Sequence, residues 1–181
     1  DMDSATLYRQ VAFVFQDVRL LRSSVLDNLR LGRPEATLAE VEEAARAAQI
    51  HSRITALPQG YHTQLGSGVQ LSGGEVQRLG IARAMLSQAP ILVLDEATAA
   101  SDPESEAAIQ QALSRLAAGR TVLVIAHRLS SIQDADQIAV LQAGQLVECG
   151  RHSALLEQQG VYAGLWAAQQ FCAVETAGEQ A

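Results

Sequence analysis

The stretch from Leu71 to Glu75 reads LSGGE, and the interpretation of the whole chain depends on it. Its S-x-x-E spacing is a capping box, in which Ser72 can cap the amide of Glu75 and Glu75 can reach back to Ser72. Gly73 and Gly74 leave the first amides of the helix without covering side chains. Because a helix N-terminus is positively polarised, the stretch predicts an anion site as well as a helix start.

Three apolar runs elsewhere in the chain each end in polar residues. The runs Val11–Phe15, Ile91–Leu94 and Thr121–Ala126 are followed by Gln16, by Asp95 and Glu96, and by His127, respectively. Fully apolar runs with helical segments between them predict buried strands of a parallel sheet covered on both faces. Ligands bind beyond the carboxyl ends of such strands, so we expect these polar residues to meet at one site.

Helical patterns fill most of the remaining chain, and the predicted fold class is therefore α/β. Residues 37–49 and 74–87 form a helical insert between the first two strands, and Asp102 and Pro103 are suited to the N-cap and first position of a later helix. Ile138–Leu141 and Leu146–Cys149 predict an antiparallel hairpin, which a helical end follows from Ser153. Residues 174–181 read as a tail.

Bulk properties restrict the function classes. A chain of 181 residues with 48% apolar residues can bury a core, and its net charge of −7 argues against nonspecific binding to DNA or anionic lipid. The two cysteines have no metal-ligand spacing, which is most simply explained by reduced thiols in a cytoplasmic compartment.

The acidic pair after the second apolar run suggests phosphoryl chemistry. Asp95 is suited to hold Mg²⁺ through water, and Glu96 to polarise an attacking water. The alternative for Glu96 is a solvated acid that begins a turn, since adjacent acids after an apolar strand are common.

All 13 basic residues of the chain are arginine. The phosphate-cradling loop G-x-x-x-x-G-K-[ST] needs a lysine on the β- and γ-phosphates, so these 181 residues do not contain that loop.

With these residues, the chain resembles the nucleotide-binding domain of ATP-binding-cassette (ABC) transporters over residues 1 to about 170. The resemblance implies a P-loop NTPase-type parallel core, a helical subdomain over about residues 22–88, and a C-terminal hairpin with helices. Residues 1–173 would be a partial ABC ATPase domain.

The resemblance also assigns roles to individual residues. It identifies Gln16 as the Q-loop glutamine that contacts Mg²⁺, Asp95 as the Walker B aspartate, Glu96 as the catalytic glutamate, Asp102 as the D-loop aspartate at the dimer interface and His127 as the switch histidine on the γ-phosphate. Leu71, Ser72, Gly73, Gly74 and Glu75 match the signature loop, which contacts the γ-phosphate of ATP bound to the opposite subunit.

Several segments are similar to the exporter-type branch, among them Val14–Asp17, Ser24–Leu29, Ile125–Ser130 and Gly160–Tyr162. The stretch Asp95–Ala100 looks like that of siderophore transporters that import through an exporter fold. Ser101 stands where the family usually has leucine in the D-loop, and Gly66–Gly68 replaces a common acidic motif before the signature loop.

The resemblance implies an ATPase, the C-terminal part of an exporter-type transporter at the cytoplasmic face of the cell membrane, with ATP and Mg²⁺ as cofactors. Expected partners are a second nucleotide-binding domain and a transmembrane domain, which alone contacts the small-molecule transported substrate; nucleic acid is not expected. Because the lysine is missing, we expect these 181 residues alone to be inactive. Strands before residue 1 would cover part of the sheet, so we also expect an edge and an apolar face of the sheet to be open in these residues alone.

Two alternatives remain open. One is a soluble ABC-class ATPase of DNA repair or chromosome maintenance, although coiled-coil heptads and a DNA-binding module are not evident. The other is a non-catalytic partner subunit that donates its signature loop, in which case Glu96 and His127 would have little purpose.

Overall fold

The computed structural model of the chain describes residues 3–66, 68–95, 103–126 and 128–178. The described backbone belongs to two compact units, residues 1–125 and 126–181. Glu96, Asp102 and His127, to which the sequence assigns functional roles, lie outside the described residues.

The first unit contains a three-stranded parallel sheet in the order β1–β2–β3. The strands are β1 (Val11–Val14), β2 (Ile91–Asp95) and β3 (Thr121–Ile125). Val14 pairs with Leu94, and Asp95 pairs with Ile125. The predicted strands and their parallel direction are thus confirmed, and their carboxyl ends lie at the same edge.

Helices of the first unit precede, separate and connect these strands. They are α1 (Ser4–Gln10), α2 (Val25–Arg30), α3 (Leu38–Ala47), α4 (His51–Thr55), α5 (Gly73–Ser87) and α6 (Pro103–Ala117), with a short 3₁₀ turn at Gly60–His62. The helical insert between the first two strands is confirmed. Helix α1 was not predicted; Asp3 caps it by accepting from the Thr6 amide at 2.7 Å.

The sheet buries one face. Ala12, Val14, Leu92 and Leu94 join Ile109, Leu113 and Leu116 of α6 in the core. The alternate positions of the same strands point the other way, and Phe13, Phe15, Leu123 and Ile125 are exposed. The second face is therefore open among the residues that the structure describes, as we expect for these 181 residues alone, although the apolar runs by themselves predict cover on both faces.

Helix starts in the insert follow from capping boxes. Thr37 accepts a hydrogen bond from the Glu40 amide while Glu40 accepts one from the Thr37 amide, and Ser72 and Glu75 repeat this arrangement at α5. At each helix start, the capping box thus provides hydrogen-bond acceptors for two amides that have no partner within the helix. After the end of α6, Gly119 has φ +72°, the left-handed conformation of a C′ glycine that ends a helix.

The second unit is built on the predicted hairpin. Strands β4 (Ile138–Gln142) and β5 (Gln145–Gly150) pair antiparallel, and α7 (His152–Glu157) and α8 (Val161–Gly178) follow. A small core forms from Leu129, Ile138, Val140, Leu155 and Tyr162. Because α8 continues to Gly178, the backbone of residues 174–178 is helical, where the sequence suggested a tail. Among the described residues, no helix combines the length and the apolar character that crossing a membrane requires.

Candidate nucleotide site

Gln16 and Asp95 lie close together at the carboxyl edge of the sheet. Gln16 follows β1 by two residues, and Asp95 is the last residue of the neighbouring strand β2. Both line one cavity of about 600 Å³, whose walls are Phe13, Val14, Phe15, Gln16, Asp17, Val18, Arg19, Gly80, Arg83 and Asp95. The polar residues that follow β1 and end β2 thus line the same cavity.

The donor chemistry of this pair suits Mg²⁺. The ion prefers oxygen ligands, retains several waters, and is usually held by one or two carboxylates together with substrate phosphates. Asp95 offers a carboxylate and Gln16 an amide oxygen. In the described part of the chain, no group of three or more acidic, histidine or cysteine side chains could hold a metal ion.

The signature loop has the geometry that its sequence predicts. Ser72, the N-cap of α5, has extended backbone angles of φ −66° and ψ 162°. Its hydroxyl accepts from the Glu75 amide at 3.3 Å, and its own amide donates to Glu75 Oε2 at 2.9 Å. The α5 N-terminus is thus fixed by reciprocal bonds and remains exposed at Ser72 and Gly73.

The described fold does not require a glycine at position 73. Its φ is not among the positive values, and a Cβ placed on it would have no neighbouring heavy atom within 4 Å. Glycine costs helix stability relative to alanine, by about 0.5–1 kcal/mol in a helix interior. Close approach of a ligand is a physical reason for it to stand here.

The other oxygen of Glu75 makes an ion pair that the sequence did not suggest. Arg53 of α4 donates from Nε to Glu75 Oε1 at 2.8 Å, and the Glu75 side chain is only 17% exposed. The two residues are 22 positions apart, so no local spacing signals the pair.

Helix α5 also connects the signature loop to the segment after β1. Gln77 is buried and donates from Nε2 to the carbonyl oxygen of Phe15, the residue before Gln16, at 3.2 Å. Further along α5, Arg83 donates to the Arg19 carbonyl oxygen at 2.9 Å. One rigid helix therefore contacts the backbone beside Gln16 and begins at the signature loop.

Arg83 is held in the interior of this arrangement. It donates from Nε to the Asn28 carbonyl oxygen at 2.7 Å and from Nη2 to Asn28 Oδ1 at 2.6 Å. Burial lowers the pKa of its guanidinium below its ordinary value. Asn28 is fully buried and also accepts from the Leu21 amide, so it ties α2 to the loop after Gln16. The sequence did not suggest a role for either residue.

The carboxyl edge of the parallel sheet carries a carboxylate and an amide, and α5 begins with an exposed glycine. This arrangement is typical of α/β domains that bind nucleotides. The sequence pattern of the ABC transporter family matches residues 2–99. The chain belongs to that family, and its fold class is the one predicted.

Curated relatives are transport proteins. The chain is 56% identical over 171 residues to the mycobactin import ATP-binding/permease protein IrtA of Mycolicibacterium smegmatis, an alignment that covers 94% of this chain and 20% of the relative. It is 50% identical over 169 residues to the cyclolysin secretion/processing ATP-binding protein CyaB of Bordetella pertussis, with 93% of this chain and 24% of that protein covered.

A solved structure of a bacterial Atm1-family ABC exporter with ATP bound superposes on the chain with a TM-score of 0.80 at 44% identity. The match covers 91% of this chain and 29% of the exporter chain. The chain thus spans between a fifth and a third of the length of these relatives.

Proposed function

We propose that the chain is an ATP-binding and ATP-hydrolysing part of an exporter-type ABC transporter and couples hydrolysis to transmembrane transport. The observation that carries the proposal is the shared cavity of Gln16 and Asp95 at the carboxyl edge of the sheet. Since the chain contains no lysine, the phosphate-cradling loop must be supplied by residues outside these 181.

In this proposal each half of an ATP site comes from a different domain. Asp95 and Gln16 would hold Mg²⁺, partly through water, and the bound ion would supply positive charge to the β- and γ-phosphates. The loop Leu71–Glu75 would contact the γ-phosphate of a nucleotide whose cradle lies on a second nucleotide-binding domain. Gly73 supports this role, because the space beside its Cα is open.

Glu96 and His127 would complete the catalytic residues. Glu96 directly follows Asp95, so a carboxylate there could accept a hydrogen bond from the attacking water and orient it. His127 follows the end of β3 by two residues and would contact the γ-phosphate. Asp102 would lie at the interface between the two domains.

Transport would need membrane helices, which we assign to a transmembrane domain outside these residues. The chain would then work at the cytoplasmic face of the cell membrane, and the transported substrate would contact only the membrane domain. The relatives include a mycobactin importer and a cyclolysin secretion protein, so the substrate and direction depend on that other domain.

The DNA-repair alternative has no support from these relatives, all of which are named for transport or secretion. The non-catalytic alternative can be tested directly. In the full-length protein, Glu96→Gln should abolish ATP turnover and leave ATP binding intact, because the amide cannot act as a base but keeps the size of the side chain. Substantial remaining hydrolysis would contradict the role assigned to Glu96.

A further inference from the structure

The Glu75 side chain has two oxygens with two different partners. Oε2 accepts from the Ser72 amide at 2.9 Å, which fixes the N-cap of α5, and Oε1 accepts from Arg53 Nε at 2.8 Å. Glu75 is 17% exposed and Arg53 39% exposed. The carboxylate therefore links Arg53 of α4 to Ser72, the N-cap residue of α5.

The charge of Glu75 needs compensation if ATP binds here. Its carboxylate lies in the first turn of α5, the same turn in which Gly73 opens space for a phosphate. Like charges repel, and in a partly desolvated site they do so more strongly than in water. A guanidinium on Glu75 offsets this repulsion and leaves the polarised amides of α5 free to attract the anion.

We propose that Arg53 is a positioning residue for nucleotide recognition. It holds Glu75 in the capping box and cancels the charge of that carboxylate beside the γ-phosphate. The inference rests on the proposed function, because it requires the signature loop to contact ATP. It adds a residue on another helix, α4, that acts on the phosphates only through Glu75.

Steady-state ATPase kinetics of the full-length protein test this role. Arg53→Gln leaves the Glu75 charge uncompensated, and we expect KM for ATP to rise about fivefold, the upper range for a partly exposed ion pair, with a smaller change in kcat. Adding Glu75→Gln to this variant removes the charge while keeping an oxygen for the Ser72 amide. The double variant should therefore recover most of the lost affinity.

Two further variants separate charge from structure. Arg53→Lys keeps a positive charge and should raise KM less than Arg53→Gln, and this comparison remains available should the glutamine variant fail to fold. Arg46→Gln breaks another ion pair of the same subdomain, with Glu42 at 2.6 Å, and should leave KM unchanged. A purely structural role for Arg53 would lower the yield of folded protein and would not be rescued by Glu75→Gln.

An unchanged KM in Arg53→Gln, or a double variant no better than the single one, would overturn the inference. If the wild-type protein hydrolyses ATP and Gly73→Ala is inactive while Arg53→Gln resembles wild type, only the role of Arg53 fails. If the full-length wild-type protein has no ATPase activity, the proposed function fails and the inference fails with it.

Discussion

Replacing Gly73 with alanine should separate folding from function. A Cβ at this position would meet nothing within 4 Å, and the backbone needs no positive φ. Alanine is favoured over glycine in helices by up to about 1 kcal/mol, and we expect a gain of ~0.5 kcal/mol in the free energy of unfolding at this first-turn position. If a phosphate approaches the same point, the added methyl group displaces it, and a misplacement of about 1 Å can lower turnover about 100-fold.

Gly80 in the same helix is the matched control for stability. A Cβ there would lie 2.6 Å from Val18 Cγ2 and 3.1 Å from Cγ1. Overpacking of this kind destabilises a protein by about 1–3 kcal/mol. The higher helix propensity of alanine offsets about 1 kcal/mol of this destabilisation. Gly80→Ala should thus be destabilised by about 1 kcal/mol, a fall in Tm of roughly 2–4 °C for a domain of this size.

Thermal unfolding and ATPase assays on the two variants of the full-length protein make the comparison. We expect Gly73→Ala to be stable and to turn over ATP about 100-fold more slowly than the wild type. Gly80→Ala should be less stable, and because Gly80 lines the cavity of Gln16 and Asp95, this variant serves as a control for stability alone. A Gly73→Ala protein with wild-type turnover would refute the reasoning. So would a Gly73→Ala protein that unfolds as early as Gly80→Ala.

Three other predictions concern contacts away from the phosphates. Hydrogen bonds from the backbone and hydroxyl of Thr37 lower the pKa of Glu40 to about 2. The ionised carboxylate therefore stabilises the fold fully above its ordinary pKa of 4.5, and this stabilisation is lost as pH falls towards 2. Thr37→Ala should raise the pKa of Glu40, which NMR titration measures. Burial raises the pKa of Tyr61 to about 12. The stabilisation by its neutral phenol is therefore complete below the usual pKa of about 10 and is lost as pH rises towards 12. Tyrosinate absorbance should show a late-titrating group that Tyr61→Phe removes. The Glu148 carboxylate accepts hydrogen bonds from two amides at the start of α8, and the Cβ of Gly160→Ala would clash with it. We therefore expect faster hydrogen exchange of those two amides in this variant. Unchanged exchange would contradict this prediction.

The sheet could be predicted from sequence because its signals are local. Each strand is a continuous apolar run, and β1 and β2 each end within one residue of the predicted position. The capping box of α5 was predictable for the same reason, since Ser72 and Glu75 are three residues apart. The apolar runs alone predict cover on both sheet faces, because such runs indicate that strands avoid water but not which residues cover them. The open second face agrees with the expectation for these 181 residues alone.

Contacts between distant positions could not be predicted from one sequence. Arg53 and Glu75 pair only because α4 and the start of α5 are brought together, and Gln77 reaches the Phe15 carbonyl over 62 positions. Arginine and glutamine side chains are common on exposed helices, so the sequence alone does not single out Arg53 or Gln77 for these contacts. The roles assigned to Glu96, Asp102 and His127 stay predictions.

The most direct test of the central claim is photolabelling of the full-length protein with an ATP analogue that carries an arylazide on its γ-phosphate. Trypsin cuts after arginine, so residues 54–78, which contain the signature loop, form one peptide between Arg53 and Arg78. The account predicts that this peptide carries the label, that excess ATP prevents it, and that Gly73→Ala strongly reduces it. Labelling that maps only to other peptides, with residues 54–78 unmodified, would contradict the claim that this loop contacts the γ-phosphate.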